Sequence, residues 1–220
     1  MKRIDYISFE DFKKLVKAEK KLEFKTAMIL AFGSGLRISE IIGLKEAHSI
    51  CCDAVVEMRR VEITGRKLKR WFCSKCNKQL AAKEIRRCVN YGWQIPPLMP
   101  EQVDLVKHQI KLDIAKGGKW RITCTSPALK PDMVKLLPLK IKRSTLQAHF
   151  KTLGKKVLGK NYSFHILRHG FGNYQANVAK LSLPMVQSLM GHSRLDTTGI
   201  YTKANPEATI AEAWKGMGGE

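Results

Sequence analysis

The stretch FHILRHGFGNY, residues 164 to 174, sets two histidines and an arginine within five positions of a segment that otherwise reads as an apolar helix. His165 and Arg168 are three residues apart, so on a helix both project from one face near its first turns. Ser163, just ahead, is the expected N-cap, and a helix start offers backbone N–H groups and the positive end of the helix dipole. Cationic side chains and free donors on one face make a site for an anion. His169 is expected to be structural and to face away from His165.

The composition says which anion. Over 220 residues, 40 Lys and Arg stand against 19 Asp and Glu, a formal charge of +21. A surface so charged repels itself unless a polyanion shares it, which makes nucleic acid the expected partner. The chain has neither the long apolar run nor the strongly amphipathic basic helix that a membrane partner needs. The first residues, MKRIDYISFEDFKKL, contain no apolar signal core and predict a cytoplasmic protein. In that compartment the six cysteines read as reduced thiols or metal ligands before disulfides. A hydrophobic content of 44% supports one sizeable core and at most a small second module.

Working outward from the quoted helix, Ser8 and Asp11 predict a capped helix carrying Phe12, Leu15 and Val16. A second helix is expected over residues 22 to 32, broken by Gly33 and Gly35, and a third from about Leu36 through Ile38, Ile41, Ile42 and Leu44. Ile110, Leu112 and Ile114 alternate with polar residues, Lys116 to Gly118 make a turn, and Trp120, Ile122 and Cys124 resume the alternation, predicting a β-hairpin with lysines at its tip and Cys124 in the core. Ser144 to Gln147 reads as another capping box. A helix is expected from Ser182, with Pro184 in its first turn, to Gly191, and an amphipathic stretch from Pro206 to Trp214.

Residues 46 to 97 differ in texture and read as an inserted module. They hold five of the six cysteines, and FCSKCNKQL sets Cys73 and Cys76 at knuckle spacing. Cys52, Cys73, Cys76 and Cys88 are the expected ligands of a structural zinc, with Cys51 and His48 as alternatives to the upstream ligand, because about fifty residues hardly hold a core without such a staple. The same segment carries Arg59, Arg60, Arg66, Lys67, Lys69, Arg70 and Trp71, suited to phosphate contacts that add affinity without sequence selectivity.

Five motifs in order, GSGLRISEIIGL, KGGKWR, HILRH, LMGH and IYTK, resemble the catalytic domain of tyrosine recombinases, the phage-integrase family. The resemblance covers about residues 8 to 45 and 98 to 210. It implies an α+β fold, mainly helical with a small antiparallel sheet, here with a zinc-ribbon-like insertion, so that residues 1–220 form the catalytic domain around the module at 46–97. It implies site-specific cutting and rejoining of double-stranded DNA, with no cofactor in the chemistry and with Tyr201 as nucleophile. Arg37 and Arg168 would hold the phosphate oxygens, Lys116 (or Lys119) would act as general acid, His165 would exchange protons, and His192 would donate a hydrogen bond to the phosphate. Glu40 would brace the helix carrying Arg37. A homo-tetramer on paired DNA sites, monomer or dimer when free, is implied, held partly by exchange of residues 204 to 214. The residues before Arg37 read as part of the catalytic domain, so the helical N-terminal domain common in the family is not expected among them, as in a minimal recombinase, a fragment, or a protein whose clamp is completed from elsewhere. Two other readings of the same residues are a type IB topoisomerase-like nicking and resealing enzyme and a non-catalytic DNA-binding regulator.

Overall fold

The computed structural model describes residues 6–63, 66–88, 90–113 and 120–191. Its helices are α1 (Phe9–Ala18), α2 (Leu22–Gly33), the single turn α3 (Ile38–Ile41), α4 (Pro131–Val134), α5 (Arg143–Leu158), α6 (His165–Asn177) and α7 (Leu183–Met190). In α2, Phe24 and every residue from Thr26 to Phe32 are buried. A helix apolar around its whole circumference needs cover on all sides, and α1, α3, α4 and α6 supply it. Phe12 of α1 stacks on Phe32 of α2 with ring centroids 4.1 Å apart, and Phe150 of α5 meets Phe164 edge to face at 5.4 Å.

Local chemistry accounts for most helix ends. The Ser8 hydroxyl accepts the Asp11 N–H at 3.1 Å as its spacing predicts. α7 starts after Ser182 with Pro184 in its first turn and stops at the left-handed Gly191. Three expectations shift. α3 ends at Ile41, because Gly43 turns left-handed (φ 78°) and Leu44 enters a strand. Ser144 lies inside α5, whose N-cap is Lys142, and Phe164 rather than Ser163 is the residue preceding α6.

Residues 44–95 are built of strands. β1 (Leu44–Lys45) pairs antiparallel with β7 (Trp93–Ile95), so the chain leaves and re-enters the helical body at one place. β2 (His48–Ser49) pairs with β6 (Ile85–Arg86). β3 (Val56–Ile63) and β4 (Arg66–Cys73) form a long ribbon, joined at its root by β5 (Gln79–Leu80). A cluster separate from the main core, Ala47, Val56, Cys73 and Leu80, lies under that root.

Beyond it, β8 (Val103–Asp104), β9 (Gln109–Leu112) and β10 (Arg121–Cys124) make a three-stranded antiparallel sheet on which α7 rests. Ile110 and Leu112 face inward as expected, but on β10 the inward residues are Arg121 and Thr123, while Trp120 and Ile122 are exposed. Cys124 is half-buried. No helix among the described residues is long and apolar enough to cross a membrane.

Candidate active site

The turn between α2 and α3 is the first part of the site. Gly35 is left-handed (φ 64°), and a Cβ there would lie 2.5 Å from the ring of Phe171 on α6, so the turn needs glycine for both conformation and space. The chain then reaches Arg37, the N-cap of α3. Its N–H donates to Glu40 Oε2 and its guanidinium to Glu40 Oε1, both at 2.7 Å.

Two further arginines meet there. Arg121 of β10 donates to Glu40 Oε2 at 2.7 Å and to the carbonyl of Leu189. Arg168 of α6, only 2% exposed, donates to the carbonyls of Gly35 and Met190. Arg37 also donates to the carbonyl of Gly191 at 3.2 Å. The last carbonyls of α7, which have no partners inside their own helix, thus receive three guanidiniums from three other elements. Gly191 fits because it is left-handed and because a Cβ there would stand 2.5 Å from Arg121 Cδ.

Burial pushes the Glu40 carboxyl up, but the charges of Arg121, Arg37 and Arg168 and the Arg37 N–H outweigh it, leaving the group below its ordinary 4.5. Burial pulls the Arg121 guanidinium down against the attraction of Glu40, from so high a starting point that it stays charged. Three guanidiniums against one carboxylate leave two positive charges in excess, suited to a phosphodiester. His165, the first residue of α6, is exposed, and its ring meets that of His169 edge to face at 4.7 Å. His169 therefore does not face away from His165: residues four apart on a helix are neighbours. Burial, then the Arg168 charge, holds the His169 imidazole below its ordinary value.

The structure thus brings Arg37 and Arg168 together and sets His165 at the start of the Arg168 helix. Lys116, Lys119, His192 and Tyr201 lie outside the described residues. Arg121 has no role that the motif KGGKWR alone assigns, since alternation gives the inward positions of a strand to apolar residues. Register was the available signal: Leu112 is opposite Arg121 and Ile110 opposite Thr123, and cross-strand partners share a face.

A second constellation lies in the strand-built segment. The Sγ atoms of Cys51, Cys52, Cys73 and Cys76 are all within 4.8 Å of one another. This set differs from the expected ligands by one residue, since Cys51 takes part and Cys88 lies outside the cluster. His48 is engaged elsewhere, stacked on Tyr91 at 3.7 Å with Nδ1 3.0 Å from the carbonyl of Asp53. The N–H groups of Cys76 and Lys75 and the Ser49 hydroxyl draw the Cys73 thiol down to about 6, whereas hydrogen bonding to Cys76, desolvation and the other thiols push Cys52 up to about 12.

Comparison with known proteins agrees with this architecture. Residues 138–208 match the model of the phage integrase family. Tyrosine recombinase XerA of Pyrococcus horikoshii is 26% identical over 194 residues, covering 88% of this chain and 55% of the relative. Among solved structures, XerA recombinase superposes with a TM-score of 0.57 at 19% identity, covering 99% of this chain and 66% of that one. The Tn1549 transposon integrase, solved in complex with circular intermediate DNA, gives 0.54 at 16% identity, covering 97% and 65%. Residues 138–208 thus resemble the phage integrase family, and the chain has the fold of the tyrosine recombinase catalytic domain. It spans about half the length of the curated relatives it matches.

Proposed function

We propose that this chain is a site-specific recombinase that cuts and rejoins double-stranded DNA through a covalent 3′-phosphotyrosine. The observation that carries the reading is the convergence of Arg37 and Arg121 on Glu40, and of both with Arg168 on the carbonyls of Leu189, Met190 and Gly191, the last just before His192 in the sequence. On this reading Tyr201 Oη attacks the scissile phosphorus and passes its proton to His165, the Tyr–O–P bond forms, and the P–O5′ bond breaks. Lys116 gives a proton to the departing 5′ oxygen. Arg37 and Arg168 hold the non-bridging oxygens as charge builds on them, and His192 adds a hydrogen bond. A 5′-hydroxyl of the partner strand then reverses each transfer. The bond energy stays in the phosphotyrosine, so the chemistry draws on no nucleotide or cofactor.

Residues 1–220 act as the catalytic domain in the cytoplasm, with the segment 46–97 as an inserted module holding a structural zinc that takes no part in the reaction. Monomers or dimers assemble as a tetramer on paired sites, the segment from Ala204 to Trp214 passing between neighbours. DNA as the partner is supported by the +21 charge and by the DNA-bound state of the Tn1549 integrase. The test is incubation with nicked duplex suicide substrates from the regions flanking the gene, resolved on a denaturing gel. A covalent adduct that Tyr201→Phe abolishes without loss of DNA binding is the expected result. Tight binding with no adduct on any substrate would overturn the enzyme reading in favour of a regulator, and relaxation of plasmids lacking any site would favour a topoisomerase.

A further inference from the structure

We infer that Cys51, Cys52, Cys73 and Cys76 form a tetrathiolate site for one zinc ion, which pins the turn after β2 to the turn after β4. The inference stands apart from the strand-exchange reading and would survive its failure.

Geometry comes first. Zinc–thiolate bonds of about 2.3 Å in a tetrahedron put sulfurs roughly 3.8 Å apart. Cys51 and Cys76, brought together from 25 positions apart, have their sulfurs at 3.6 Å, and none of the four lies more than 4.8 Å from another. Each pair occupies a tight turn that ends in a left-handed residue, Asp53 (φ 48°) after Cys51 and Cys52, and Asn77 (φ 58°) after Cys73 and Cys76. The Asn77 N–H donates to the Cys73 carbonyl at 3.0 Å, closing the second turn around one point.

The surroundings fit a thiolate ligand. Cys73 is fully buried and accepts the Ser49 hydroxyl at 3.2 Å, a bond that would steer its lone pairs and offset part of its charge. Sulfur-only tetrahedral sites take zinc or iron, and the two are separable by experiment.

There is also a structural need. Among the described residues the apolar cluster under the ribbon has four buried members, Ala47, Val56, Cys73 and Leu80, with Cys52, Ala54, Trp71 and Ile85 partly buried against them, a small core for a segment of this length. Beyond the root that β5 joins, the ribbon has two strands only, an arrangement that is marginal in water by itself. A metal that binds the folded turns and not the unfolded chain supplies the missing stability.

The full chain, purified under reducing conditions without chelator, is measured for zinc and iron by mass spectrometry of the metals. One equivalent of zinc surviving dialysis is expected. Cys51→Ser and Cys76→Ser should each lower retained zinc at least tenfold, with the helical circular dichroism unchanged, and Cys88→Ser should keep the full equivalent. Cobalt added to the metal-depleted wild type should give the intense visible bands of tetrahedral thiolate coordination, a readout that needs no variant to fold. No bound metal, one equivalent of iron, a Cys51–Cys76 disulfide in the reduced preparation, or loss of zinc from Cys88→Ser equal to that from Cys51→Ser would each overturn the assignment.

Discussion

Glu40 has no exposed side-chain surface and makes 2.7 Å bonds to both Arg37 and Arg121. Its charge is what lets three guanidiniums share one pocket. Glu40→Gln keeps the shape and removes that charge; losing one partner of a buried network costs about 3 to 5 kcal/mol, and the lower end applies because Arg37 retains some contact with water. A drop of about 3 kcal/mol in urea-unfolding stability at pH 7 is expected. The folded carboxyl titrates below 4.5, so the folded state binds fewer protons than the unfolded one. Its contribution is complete above that pH and is lost as the pH falls through the folded value. Wild type and Glu40→Gln should therefore converge in stability on acidification below about pH 4.5, and a gap that widens instead would contradict this. Arg121 makes a second case: lysine keeps the charge but cannot reach Glu40 and the Leu189 carbonyl together. Arg121→Lys should slow single-turnover cleavage by about 10- to 100-fold through misplacement of Arg37 and α7, with DNA affinity nearly unchanged. At this scale the sequence was legible where residue type and motif order coincide, as at Arg37 and Arg168. It was not where pairing decides: Arg121 is inward because of its strand partner, and Cys51 rather than Cys88 joins the cluster because two turns meet in space.

Among the elements, the β3–β4 ribbon is electrostatically unusual. Arg59 lies opposite Arg70 and Arg60 opposite Lys69, two successive like-charged pairs that would repel across the ladder. Arg59 is partly compensated by Glu57 at 2.8 Å and packs over Phe72 at 5.2 Å. A DNA backbone lying along the ribbon would relieve the rest, and a two-stranded ribbon fits the major groove. Arg60→Gln with Lys69→Gln should lower the slope of log affinity against log salt by about 0.9 for each phosphate that the variant no longer neutralises. An unchanged slope, with wild type still binding DNA, would show that the ribbon points away from it. The elements with local signals, α1, α2 and α7, were legible from caps and periodicity. α3 was legible only in part: Gly43 marks its stop locally, but the pairing of Leu44 with Ile95 that carries the chain into a strand is a contact no local pattern reveals.

In the molecule as a whole, the arginine centre draws on the α2–α3 turn, β10, α6 and the end of α7, and joins residues up to 154 positions apart. Order of motifs revealed that these parts belong together, while how they touch came from packing. The pairing of β1 with β7 has a practical corollary. Lys45 lies opposite Trp93, its ammonium 3.8 Å from the ring centroid, so the 47 residues between occupy a socket with two adjacent contacts, much as a removable cartridge does. A two-residue Asn-Gly link from Lys45 to Trp93 is the length that such a hairpin accepts. The trimmed chain should remain soluble and melt cooperatively by circular dichroism, and an aggregated or non-cooperative product would mean that the helical body depends on its insert. If the trimmed body stands, the socket is a place where evolution could add a binding unit, and where an engineer could exchange one, without disturbing the arginine centre around Glu40.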